Sequence, residues 1–116
     1  MTLRERFNRL FRSTEEITSD DRHRLAEDAG ADEIGRAPDR ARVKLRGTID
    51  DLTVRPRRTE PWLEATLGDG TGTVTLIWMG RREIPGIEAG RDLVVEGRLS
   101  VVDGQRRMYN PRYQLL

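Results

Sequence analysis

The sequence predicts a mainly β protein, a five-stranded Greek-key barrel behind an N-terminal helical extension. Three observations predict it. Residues 63–79 read as two alternating strands folded back on each other at Asp69-Gly70-Thr71-Gly72. The same period of two recurs over 43–49 and 93–101, and a second turn signal, Asp103-Gly104, introduces a last strand interrupted by Pro111. Apolar residues at helical spacing are confined to the part of the chain before Gly30.

The hairpin is the clearest of these signals. Leu63, Ala65 and Leu67 share one face of a strand while Trp62, Glu64 and Thr66 take the other, and Val74, Leu76 and Trp78 repeat the pattern after the turn. Gly70 and Gly72 are expected to supply the positive φ of a tight bend, with the Asp69 side chain bonding its backbone. Trp78, on the face of Val74 and Leu76, is assigned to the core; Trp62, behind Pro61 on the opposite face, is assigned to the surface.

At 116 residues, 35% of them hydrophobic, the chain suits one domain with one modest core. With no Cys and one His, His23, disulfide stapling and a zinc site of Cys and His ligands are excluded, and a cytoplasmic protein is expected. The first residues lack the apolar stretch of a signal peptide, and no run nears the roughly 18 apolar residues of a membrane helix, so neither export nor membrane association is expected. The net charge of +1 conceals an asymmetry: acids outnumber bases in residues 1–41, and bases outnumber acids in 42–116. Lys44 is the single lysine among 21 basic residues. That is the mark of GC-rich coding, so arginine number alone is a poor guide to a phosphate surface.

Taken in order, Leu3, Phe7, Leu10 and Phe11 form one stripe of a helix among Arg4, Glu5, Arg6, Arg9 and Arg12. Ser19 caps a second helix, with Asp20 and Asp21 in its first turn, that ends at Gly30. Gly35 and Pro38 make residues 30–40 a linker, which sets the extension at 1–40 and the barrel at 41–116. The first strand alternates Val43, Leu45, Gly47 and Ile49 against Arg42, Lys44, Arg46 and Thr48. Gly47 marks the bulge or bend that lets a long strand serve two neighbours. Residues 55–61 form a polar loop containing Pro56 and Pro61, and 80–90 are too broken by Gly and Pro for more than a single helical turn. Leu93, Val95, Gly97, Leu99 and Val101 alternate as the fourth strand, and 106–116 supply the fifth.

This order of strands and turns matches the OB-fold. Four segments carry a closer likeness: Gly47-Thr48-Ile49; residues 67–82, Leu-Gly-Asp-Gly-Thr-Gly-Thr-Val-Thr-Leu-Ile-Trp-Met-Gly-Arg-Arg; residues 90–99, Gly-Arg-Asp-Leu-Val-Val-Glu-Gly-Arg-Leu; and Tyr109-Asn110-Pro111-Arg112-Tyr113. From about residue 40 to 116 the chain resembles the OB-fold nucleic-acid-binding proteins of actinobacteria. More distantly it is similar to the DNA-binding wedge domain of branch-migration helicases, where an acid commonly stands at the position of Arg112.

Catalysis finds no support. The glycines at 68, 70 and 72 lie inside a hairpin with no Gly-Lys-Ser/Thr after them. Asp50 and Asp51 point to opposite faces of a strand, and His23 has no catalytic partner that the sequence identifies. No catalytic residue, metal ligand or cofactor is assigned, and the protein is expected not to be an enzyme. OB-folds take single strands in a basic groove over strands two and three, bordered by two loops, with aromatics for stacking. Arg55, Arg57 and Arg58 occupy the first of those loops, Arg106 and Arg107 follow the second, and Trp62 and Tyr109 are the stacking candidates. Arg42, Lys44 and Arg46 line the outer face of strand one. With so few aromatics, binding of single-stranded DNA or RNA is expected to be weak and largely electrostatic. The alternative is a protein-interaction module or homo-oligomer that uses the barrel and the Leu3, Phe7, Leu10, Phe11 stripe.

Overall fold

The computed structural model of the protein describes residues 31–116. The two expected helices, with the Leu3, Phe7, Leu10 and Phe11 stripe, lie outside the described residues. Among the described residues no helix is long and apolar enough to cross a membrane.

Six strands follow in chain order: β1 (Arg42–Arg55), β2 (Trp62–Gly68), β3 (Thr73–Met79), β4 (Asp92–Val102), β5 (Gln105–Tyr109) and β6 (Arg112–Leu115). Five of them bond in a ring, β1-β2-β3-β5-β4 and back to β1. Only the β3–β5 pairing is parallel; the others are antiparallel. β4 carries β5 and then β6 with nearly one register, so the expected fifth strand is β5 and β6 together, broken at Asn110-Pro111. Asp103 and Gly104 take φ of 52° and 75° in the β4–β5 turn, the left-handed pair that a two-residue hairpin requires.

β1 is shared between two neighbours. Its first half pairs with β4 and its second half with β2, Thr48 pairing with both. Gly47 sits at this corner because a methyl there would stand 2.5 Å from the Gly68 carbonyl oxygen. The bulge itself is at Asp50, where the register steps from Ile49 opposite Leu67 to Asp51 opposite Thr66. One extra residue exchanges the two faces of a strand. Ahead of it Val43, Leu45 and Ile49 are core residues; beyond it Leu52 packs against the core, and Asp51, Thr53 and Arg55 turn outward.

Inside the ring Leu45, Ala65, Leu67, Leu76, Leu93, Val95, Leu99 and Met108 are fully buried. Each large aliphatic side chain among them contributes about 1.5–3 kcal/mol. Trp78 is in the core as expected; its Nε1 donates to the Pro111 carbonyl at 3.3 Å, and Tyr113 meets its ring edge to face. Ile84 and Ile87 of the β3–β4 connection join the same core.

Within the stretch 30–40 expected as a linker, the described residues 31–40 pack against the barrel. Asp32 bridges to Leu45, and a 3-10 turn at Ile34–Arg36 puts Ile34 fully inside, followed by Ala37. The fully buried Asp69 carboxylate holds this turn: it accepts the Ile34 N–H at 2.9 Å, the Thr71 N–H at 2.9 Å and the Thr71 hydroxyl at 2.6 Å. Thr71 Oγ1 in turn accepts the Gly35 N–H at 2.9 Å. Of the two glycines assigned to the bend, only Gly70 has positive φ; Gly72 is needed for close approach, since its Cβ would stand 3.0 Å from the Gly35 Cα. One large apolar residue among polar ones is too weak a local signal to predict this docking.

Candidate functional site

The exchange of faces at Asp50 creates a polar surface across four strands. Asp51, Thr53 and Arg55 of β1, Trp62, Glu64 and Thr66 of β2, Thr75 and Ile77 of β3, and Gln105 and Arg107 of β5 line one groove of about 430 Å³, with Arg57 reaching in from the β1–β2 loop. Ile77 is 2% exposed although it lies outside the barrel core, flanked in register by Glu64 and Tyr109. It forms an apolar spot on an otherwise hydrophilic floor.

An aromatic corner stands at one side. The Arg57 guanidinium lies 4.4 Å over the Trp62 ring centroid, and Tyr109 meets Trp62 in an edge contact at 6.2 Å and 81°. The first contact stabilises by about 0.5–1 kcal/mol at an exposed site, the second by about 0.5–1.5 kcal/mol. Tyr109 is held by the kink that follows it. Asn110 takes φ of 48°, donates its N–H to the Ile77 carbonyl at 2.6 Å and accepts the Met79 N–H on Oδ1 at 3.0 Å. Asn tolerates that left-handed backbone, and buried Pro111 has no N–H to leave unpaired.

The charges are mixed. Arg55 Nε pairs with Glu64 Oε2 at 2.9 Å and is neutralised there. Arg107 donates to Gln105 Oε1 at 3.3 Å and keeps its charge, as does Arg57 over the indole. Two cations therefore face one carboxylate outside an ion pair, Asp51, among the groove-lining residues.

The structure thus brings Arg55, Arg57, Trp62, Arg107 and Tyr109 to one place, Arg55 as the last residue of β1 rather than in the loop. Arg58 is exposed and does not line the groove. Arg106 is turned away. It shares a strand face with Met108 and donates to the Gly35 carbonyl at 2.9 Å and the Ala37 carbonyl at 3.2 Å, so its guanidinium fastens the 3-10 turn. Period two along β5 already separates Arg106 from Arg107. Asp51, Thr53 and Gln105 were not expected here; Gln105 shares the parity of Arg107, but the two β1 residues depend on a bulge with no local mark. Arg42, Lys44 and Arg46 pair alongside β4, away from the groove.

No protein-family model matches the chain, and no curated protein sequence matches it. Solved structures do. RecG bound to a three-way DNA junction is similar over 66% of this chain and 11% of that one, with a TM-score of 0.57 and 21% identity. The p204 HINb domain is similar over 78% and 49%, with a TM-score of 0.62 and 15% identity. A replication protein A heterotrimer bound to ssDNA has a chain similar over 79% and 76%, with a TM-score of 0.51 and 12% identity. The fold is an OB-fold. At these identities the likeness establishes fold alone, and the chain spans about a tenth of the RecG chain and about half of the HINb one.

Proposed function

We propose that this chain is a non-catalytic, cytoplasmic nucleic-acid-binding OB-fold that takes single-stranded DNA or RNA in the groove over β2 and β3. The observation that carries the reading is the Trp62–Tyr109–Arg57 corner beside a groove that also holds Arg107. A flat guanidinium already lies over the indole, where a base would stack. On binding, a base takes that place for about 1–3 kcal/mol, and Arg57 moves to a phosphate, which its planar fork suits. The hydroxyls of Thr53, Thr66 and Thr75 line the floor within the same groove. Two of the structures similar to this chain hold DNA, which supports the same reading. With few cations free in the groove, affinity is modest and falls with salt.

Fluorescence anisotropy with a labelled single strand, at low and at moderate salt, tests this. Binding at low salt that weakens in Arg57→Ala plus Arg107→Ala is the expected result. No binding at low salt, or binding indifferent to both substitutions, would remove the reading. Matched deoxyribose and ribose probes then decide between DNA and RNA.

A further inference from the structure

A second charged surface lies across the ring. The outer face of β1, β4 and β6 is built by register: Arg42 stands opposite Arg98, Lys44 opposite Glu96, and Glu96 opposite Arg112, with Arg46 beside Val94. That gathers five cations with two acids, Glu96 in their midst and Asp92 at the end of the row, where it stands opposite Thr48 and accepts its hydroxyl. Among the described residues the ion pairs join Arg36 to Glu33, Arg40 to Asp39 and Arg55 to Glu64, so none of the five is paired. Lys44, Glu96 and Arg112 border a shallow depression of about 220 Å³ beside Tyr113, which is 42% exposed. This face shares no residue with the groove. The groove centres on β2 and β3, whereas this face centres on β4, two strands away around the ring in either direction.

We propose that the β1–β4–β6 face holds the sugar-phosphate backbone of a second nucleic-acid segment, so that the barrel carries one segment in its groove and another on its opposite side. This rests on the nucleic-acid reading of the groove. Arg42, Lys44 and Arg46 repeat every second residue, about 6.6–6.8 Å apart along the strand, a pitch comparable to that of phosphates along an extended strand. The face presents a row of charge with one aromatic at its border, which suits contacts that position a backbone rather than read bases. Coding bias enriches arginine everywhere, but it does not place five cations against two acids on one sheet face, one of those acids bonded to Thr48, while the groove remains mixed.

The test uses the full chain and the variant Arg42→Gln, Arg98→Gln, Arg112→Gln, with two labelled single strands: one of about 8 nucleotides, within the span of one OB barrel, and one of about 40. For the short probe, affinity should change less than about two-fold; for the long one it should fall about ten-fold or more, with a salt slope smaller by about 2, at roughly 0.7 per phosphate contact. Equal losses on both probes, or no loss on either, would overturn the proposal. Glu96→Gln supplies a second arm that misfolding cannot imitate: removing the acid that stands between Lys44 and Arg112 should tighten the long probe about two-fold while leaving the short one unchanged, and a weaker long-probe complex would count against the face. If the wild-type chain ignores the short probe yet the triple variant still weakens the long one, the face stands and the groove reading falls. If long-probe binding is unchanged while the triple variant abolishes sedimentation with phosphatidylglycerol vesicles, the face is a lipid surface and the proposal falls.

Discussion

The two ends of the β2–β3 hairpin differ in what their side chains are bonded to. At the turn, Asp69 is fully buried and every contact it makes is spent on the fold, fastening the Ile34 turn to the barrel. At the open end, Trp62 and Tyr109 stay partly exposed, and Arg57 lies over the Trp62 ring. β5 repeats the contrast in two adjacent residues: Arg106 fastens the turn, Arg107 faces the groove. Asp69 and Arg106 are bonded to backbone groups inside the fold, whereas Arg57 and Arg107 meet only other side chains.

Four substitutions break or sharpen that contrast. Asp69→Ala leaves the Ile34 and Thr71 N–H groups without their acceptor in a buried site and should lower stability by about 3 kcal/mol, read by urea unfolding; a loss below about 1 kcal/mol would mean that water or a neighbour replaces the carboxylate. Trp62→Ala should weaken single-strand binding by about 2 kcal/mol and shift the unfolding midpoint little. If it instead unfolds the protein with binding intact, the open end is structural too. Arg106→Met keeps the stem and removes the donor to two carbonyls, for about 1–2 kcal/mol of stability; anisotropy on the folded variant should match wild type, and a reduced salt slope would return Arg106 to the groove. The smallest effect belongs to Arg57→Ala, with affinity down by less than about 1 kcal/mol and the salt slope smaller by about 0.7. An unchanged slope would show that Arg57 serves the indole rather than phosphate.

What could be read from the sequence was what neighbouring residues decide. The alternation of Leu63, Ala65 and Leu67 against Trp62, Glu64 and Thr66, the inward Trp78, the bends at Asp69-Gly70 and Asp103-Gly104, and the break at Pro111 are all local, because strand period and turn geometry are set within a few residues. Together they were sufficient for a five-stranded barrel and for the groove corner of Arg57, Trp62, Arg107 and Tyr109. Only the tertiary structure decided the rest. Of the bulge or bend expected at Gly47, the corner is there, but the bulge is at Asp50 because register is settled by what β2 offers opposite, and that one residue turned Asp51, Thr53 and Arg55 outward. The Ile34 turn entered the barrel because a carboxylate 35 residues away accepts its N–H. Arg98 and Arg112 joined Arg42 and Lys44 on one face because β4 lies between β1 and β6, an adjacency that no stretch of sequence contains.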